Sequence, residues 1–248
     1  IARVDADSTS KKGVLKGILD DFRDGKIDIL LGTQMVAKGL NFPGVRLVGV
    51  VLADTALNLP DFRAAERTFA LVTQVSGRAG RFTKGGRVIV QTFRPHSPVI
   101  RYAADHNAEG FYAEELKMRR ELDFPPWTRL LRIVVRSKDH SASTGTATQL
   151  AGRIAQALEA GETAPMSGGA KGKPTSGGAS SGGIVSAVEI LGPAECPLSM
   201  VAGSVRTQIL LRSVDAAPAR AALASALEGW KPPSQVYIEV DPDPVSLL

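Results

Sequence analysis

Ile27-Asp28-Ile29-Leu30-Leu31-Gly32-Thr33 runs directly into Gln34-Met35-Val36-Ala37-Lys38-Gly39-Leu40-Asn41-Phe42-Pro43. The short apolar run from Ile27 to Leu31, closed by Gly32-Thr33, reads as a buried strand feeding a loop. The same pattern recurs on either side. Upstream, Asp7-Ser8-Thr9 offers N-cap residues, Val14, Leu15, Ile18, Leu19 and Phe22 follow at helical spacing, and Gly25 closes the helix. Downstream, Val45–Leu52 is a second apolar run ending at Asp54. A helix is predicted from Arg63 to about Gly77, with Phe69, Leu71, Val72 and Val75 on its apolar side, and Val88-Ile89-Val90 is a third strand. Continuously apolar strands alternating with helices predict an α/β fold: one parallel sheet covered on both faces.

Farther on, residues 98–122 read as helical around Tyr102, Phe111, Tyr112 and Leu116, and Pro125-Pro126-Trp127 stops that segment. Strands are then predicted at Leu130–Val135, Val185–Leu191, Thr207–Leu211 and Val236–Val240. Helices are predicted at Ser141–Leu158 and Ala217–Leu227. This β-α-β-β-α-β order is the ferredoxin-like split pattern, a smaller α+β domain. Residues 161–183 interrupt it with eight glycines and four serines, which reads as a flexible insertion. The expected division is therefore 1–97, a helical connector at 98–128, and 129–248.

The chain has 248 residues, 44% hydrophobic and 22% charged, enough for one or two soluble domains. Its apolar runs all fall short of the roughly 18 residues of a membrane helix. No secretory leader opens it, so a cytoplasmic, membrane-free protein is expected. Its single cysteine, Cys196, excludes a disulfide framework or a Cys-rich zinc site, and His96, His106 and His140 have no ligand spacing, so no metal site is expected. Of the net +5 charge, residues 1–100 carry the excess, with 15 basic and nine acidic side chains, whereas residues 137–248 carry eight and ten. The first hundred residues are the better surface for a polyanion, although a mildly basic solvated surface fits the same count.

Two loops carry candidate chemistry. In Gly32–Pro43 the glycines allow close backbone approach, and Thr33, Gln34 and Lys38 offer donors to phosphate oxygens. In Gln74-Val75-Ser76-Gly77-Arg78-Ala79-Gly80-Arg81, two arginines three apart at the end of a helix can converge on one anion. Guanidinium suits phosphate because it is planar, always charged and bidentate. Taken singly, each stretch also fits a plain glycine-punctuated connection or a basic helix end. Together, both are expected to end elements of one parallel sheet, where the ligands of such sheets gather.

Gly32–Pro43 resembles motif V of superfamily 2 helicases, and Gln74–Arg81 resembles their motif VI. The intervening Ala53-Asp54 and Pro60-Asp61-Phe62-Arg63-Ala64-Ala65-Glu66-Arg67-Thr68-Phe69 narrow the resemblance to the PriA family of bacterial primosomal replication-restart helicases. Asp123-Phe124-Pro125-Pro126-Trp127 and Val240-Asp241-Pro242 also resemble that family. The likeness is most specific over residues 1–137. The Gly/Ser-rich insertion departs from it, as does the segment before Thr207, where the family often places several basic and aromatic residues and this chain has only Arg206.

The resemblance implies an ATP-dependent 3′→5′ DNA helicase with two RecA-like lobes, of which residues 1–97 are the second. Arg81 is then the arginine finger and Arg78 its support. Gln74, Gly77 and Asp54 belong to the nucleotide side, and Thr33, Gln34, Lys38 and Gly39 meet the DNA backbone. Asp54 fits a plain strand-end cap equally well. ATP with Mg²⁺ is the implied cofactor, shared with a first lobe. Forked and single-stranded DNA, single-stranded-DNA-binding protein and primosome components are the implied partners. No G-x-x-x-x-G-K-[ST] occurs in the sequence; Gly172-Lys173 is followed by Pro174 and follows no predicted strand. No D-E-x-H box occurs either, so this chain alone should be inactive. The family carries those parts, and a zinc module, upstream. A non-catalytic module that binds forks and docks proteins is the alternative, and another superfamily 2 enzyme, such as a branch-migrating helicase, is a more remote one.

Overall fold

The first strand, β1 (Ala2–Val4), pairs in parallel with β2 (Leu30–Gly32) in the computed structural model, which describes residues 1–5, 13–33, 42, 44–79, 86–162 and 188–248. A parallel pair needs a crossover, and α1 (Val14–Arg23) supplies it. Leu19 of α1 and Val4 of β1 are buried. β3 (Leu47–Val50) and β4 (Arg87–Val90) form a second parallel pair, with Val48 opposite Val88 and Val50 opposite Val90. Their crossover holds a short helix, α2 (Asp54–Leu57), and a long one, α3 (Ala64–Ala79). α4 (Pro98–Ala104) and α5 (Ala108–Glu121) follow.

Phe69 and Val72 of α3 pack with Val99, Ala103 and Phe111, and Val90 of β4 lies against them. The Phe69 and Phe111 rings stack 4.2 Å apart and nearly parallel. This cluster is the local core around α3.

The expected single sheet, covered on both faces, differs from what is observed. Among the described residues there are two separate two-stranded sheets. β3 and β4 alternate between exposed and half-buried positions, and Leu31, Leu47 and Ile89 stay exposed. Continuous apolarity along a strand records two faces that suit burial, but within these residues only one face receives a helix.

The C-terminal part follows its expected order: β5 (Arg129–Ser137), α6 (His140–Glu162), β6 (Glu189–Val201), β7 (Ser204–Ser213), α7 (Ala216–Leu227) and β8 (Tyr237–Pro242). The antiparallel sheet runs β6-β7-β5-β8. Leu131, Ile133 and Val135 of β5 and Ile209 and Leu211 of β7 meet Leu150 and Ile154 of α6 and Leu223 of α7 in one core. Trp230 packs against that core, and Cys196 is buried, as a small core residue should be.

β6 extends ten residues beyond the predicted end at Leu191. Gly192, Pro193 and Pro197 read as breakers, but β6 is an edge strand, and it absorbs them at register shifts between Leu191 and Ala194 and between Glu195 and Met200. Ala202 (φ 48°) and Gly203 (φ 73°) turn the chain back, the positive-φ pair that a tight hairpin requires. The Gly/Ser-rich insertion lies almost wholly outside the described residues.

Two units result: residues 1–59 with 63–115, and residues 60–62 with 116–248. The segment expected as a connector is thus divided within α5. Leu150 is fully buried where α6 meets the sheet. Leu150→Ala should therefore destabilise the second unit by about 2–5 kcal/mol, read as a lower guanidinium midpoint at unchanged slope.

Candidate functional site

Loops that leave the carboxyl ends of parallel strands are the usual ligand edge of an α/β unit. Thr33 leaves β2 and is exposed. Gln34, Lys38 and Gly39 lie outside the described residues. Phe42 is described, and its ring meets Phe22 of α1 edge-on at 4.9 Å.

Asp54 leaves β3 as the first residue of α2 and is only 5% exposed. Its Oδ1 accepts from the Thr92 hydroxyl and its Oδ2 from the Phe93 N–H, both at 2.9 Å. Burial is the largest single influence on this carboxyl and pushes its pKa up. The Phe93 N–H, the Thr92 hydroxyl, its own N–H and the nearby Arg94 together outweigh burial and hold it below its ordinary 3.8. The charged form therefore sits where two strand exits meet and locks them together.

The backbone beside it is bent to fit. Leu52 takes φ 54°, a conformation that a branched side chain rarely adopts. Ala53 N–H bonds to Gln91 O at 3.0 Å, and Gln91 N–H to Val50 O at 2.8 Å, so the turn is tied to the end of β4. Phe93, the residue after Thr92, is 83% exposed.

α3 runs two residues past the predicted end at Gly77, so Gly77 and Arg78 are helical. Ala70, Gln74 and Gly77 form its exposed stripe, while Thr68, Phe69, Val72 and Val75 face inward. Arg78 is four residues beyond Gln74, one turn along. A Cβ at Gly77 would meet nothing within 4 Å among the described residues. Glycine inside a helix is unfavourable relative to alanine, and the packing of the described residues does not require it. Arg81 lies outside the described residues.

Most of the first motif, and Gly80 and Arg81 of the second, lie outside the described residues, and with them the expectation that both motifs gather at one edge. The parallel pairing of β3 and β4 makes α3 carry the chain back from the exit of β3 toward the start of β4. Gln74–Ala79 therefore close the helix at the amino-end side of β4, whereas Asp54, Thr92 and Phe93 sit at carboxyl ends. Thr92, Phe93 and Leu52 were not singled out from sequence. A polar Thr at the exit of an apolar run was the one available signal.

Comparison with known proteins now bears on these elements. The helicase conserved C-terminal domain family matches residues 2–83, which hold β1 through α3. The primosomal protein N C-terminal domain family matches residues 120–245, half of the chain. The chain belongs to the primosomal protein N family. It is 45% identical over 248 residues to the replication restart protein PriA of Treponema pallidum (strain Nichols), covering all of this chain and 34% of that protein. It is 39% identical over 251 residues to PriA of Bacillus subtilis (strain 168), covering all of this chain and 28% of that one. With PriA of Synechocystis it shares 37% over 247 residues, 99% of this chain and 26% of the relative. The chain thus spans about a third or less of these primosomal relatives.

Two measurements check the geometry. A folded pKa below the ordinary value stabilises the fold above that value, and the stabilisation is lost as pH falls from 3.8 through the lowered one. Asp54→Asn should remove this acid-side loss from the unfolding profile of the first unit and lower its stability at neutral pH. Gly77→Ala should raise thermal stability by up to about 1 kcal/mol.

Proposed function

We propose that this chain is the second motor lobe and C-terminal domain of an ATP-dependent 3′→5′ DNA helicase that acts at forked DNA and restarts replication through primosome assembly. One observation carries the reading. Gln74-Val75-Ser76-Gly77-Arg78-Ala79-Gly80-Arg81, whose first six residues end α3, lies inside the stretch matched by the helicase family, in a chain whose relatives are named replication restart proteins. In this reading residues 1–97 are a RecA-like lobe, 98–128 a connector and 129–248 a split β-α-β-β-α-β domain.

ATP with Mg²⁺ binds between this lobe and another that carries the phosphate-binding loop. Arg81 reaches the γ-phosphate and Arg78 supports it, meeting the charge that spreads over the transferring phosphoryl group. Gln74 reports nucleotide state to the rest of the lobe. The unexplained helical Gly77 supports the reading, because a missing Cβ leaves backbone room for a ligand or a facing lobe. Asp54 acts indirectly: it locks the exits of β3 and β4 and leaves Thr33, Gln34, Lys38 and Gly39 to hold the DNA backbone. Lobe closure on ATP and opening after hydrolysis then moves the strand.

The exposed apolar faces of Leu31, Leu47 and Ile89 also fit a lobe built to pack on further chain. The zinc module belongs upstream in this reading. Single-stranded-DNA-binding protein and primosome components are the protein partners, in the cytoplasm. No helix among the described residues is long and apolar enough to cross a membrane.

The test is ATP hydrolysis by the intact parent protein with and without forked DNA. Arg81→Ala should lower fork-stimulated turnover by about 10³-fold or more while fork binding stays within about twofold. Gly77→Ala should lower turnover while raising stability. Unchanged turnover in Arg81→Ala rejects the finger assignment. Fork binding with no hydrolysis in wild type or variant would make the protein a scaffold with the shape of a motor.

A further inference from the structure

The carboxyl end of the β3–β4 pair carries an aromatic ring left almost bare. Phe93 lies three residues past β4 and is 83% exposed. Its backbone is nevertheless fixed. The Phe93 N–H donates to Oδ2 of the buried Asp54 at 2.9 Å, and the Arg94 N–H donates to the Thr92 hydroxyl at 2.9 Å. The Ser97 N–H closes a turn on Arg94 O at 3.0 Å. The Thr92 hydroxyl in turn donates to Asp54 Oδ1. Pro95 and Pro98 stiffen the same turn. An exposed apolar side chain alone is ordinary. Here the backbone beneath it is held by a buried carboxylate. The ring is presented at one place, and a partner that stacks on it has little loop freedom to take away.

The surroundings select the partner. Residues 86–104 hold Arg87, Arg94, His96 and Arg101 and no carboxylate. Arg94, His96 and Arg101 are exposed. Asp54, the carboxylate bonded to this turn, is buried and occupied by Thr92 and Phe93. Val51 and Leu52 are exposed at the adjoining exit of β3, so the ring stands on an apolar edge among cations. That combination suits the unpaired bases of a single strand, each of which offers a π-face and carries a phosphate.

We propose that Phe93 stacks an unpaired base of single-stranded DNA at the carboxyl ends of β3 and β4, with Arg94 meeting a neighbouring phosphate and Asp54 holding the turn in place. The proposal rests on the DNA reading above and adds a contact outside Gly32–Pro43 and Gln74–Arg81. Stacking on an aromatic ring tolerates any base, as a motor moving along DNA requires. Phosphate contacts alone attract paired and unpaired strands alike, whereas in a duplex the base faces are already covered. The ring therefore favours the unpaired strand.

The experiment uses the intact parent protein without nucleotide, a labelled oligo(dT), the same strand made abasic, and a duplex of equal length. Phe93→Ala should weaken oligo(dT) binding by about 5- to 100-fold and leave duplex binding within about twofold. The abasic strand should bind wild type and Phe93→Ala alike. Phe93→Trp should bind oligo(dT) within about threefold of wild type, and its added indole fluorescence should be quenched by oligo(dT) and not by the abasic strand. Arg94→Gln should lower the slope of log affinity against log salt by about 0.7, whereas Phe93→Ala leaves that slope unchanged. The thermal midpoint of Phe93→Ala without DNA should equal that of wild type.

Unchanged oligo(dT) binding in Phe93→Ala overturns the proposal, as does an indole at position 93 that oligo(dT) does not quench. A lower thermal midpoint in Phe93→Ala without DNA also overturns it, because the ring would then pack on other protein in the parent. If the wild-type protein binds no single-stranded DNA, the DNA reading falls and the stack falls with it. If wild type and Phe93→Ala bind equally, only the stack falls.

Discussion

Two parallel strands cannot be joined by a tight turn. The chain that leaves the first must travel back the length of the pair before it can lie beside it again. For β3 and β4 that return is α2 and α3, and much of the first unit follows from it. The return places Asp54 beside Thr92 and Phe93, although they are 38 and 39 residues apart in sequence. It also stretches α3 along the pair, so that one end of a 16-residue helix adjoins the strand exits and the other bears Gln74, Gly77 and Arg78. At about 1.5 Å per residue, those ends lie roughly 24 Å apart.

The second unit meets a different constraint. Its sheet is antiparallel, and one face is filled by α6 and α7 over Ile133, Val135, Ile209 and Leu211. Alternation along β5 then sends Leu130, Arg132 and Val134 to the opposite face, yet all three are buried. A guanidinium taken out of water needs acceptors; the tail carbonyls of Ser246 and Leu248 accept from Nη1 and the Gln208 amide oxygen from Nε, while Nη2 is left without one. The tail must therefore lie across this face, and Asp61 secures its two N-terminal donors. The polar residue in the middle of an apolar strand explains why the tail is ordered.

How far the sequence could be read depended on the range of the interaction. The β-α-β-β-α-β order came from apolar runs and helical spacing, which are local. The extension of β6 past Leu191 did not, because Gly192, Pro193 and Pro197 are local breakers that only a paired edge strand with register shifts can carry. Cys196 and Trp230 were legible as core by residue type. The continuously apolar strands were read as covered on both faces, a statement about neighbours that a single strand does not contain. Within the site, Gln74–Arg81 stood out because glycine and paired arginines are unusual at a helix end. Thr92, Phe93 and Leu52 did not, because their roles exist only once the crossover has brought the exits of β3 and β4 together.

Asp61 marks where local reading ends. It stood within the segment that narrowed the family resemblance, yet nothing in Pro60-Asp61-Phe62-Arg63 says that its partners lie 185 and 186 residues away. A short stretch between two helices is ordinarily free to drift, since few contacts oppose it. This one is held by two hydrogen bonds on one oxygen, a ring stack and an arginine.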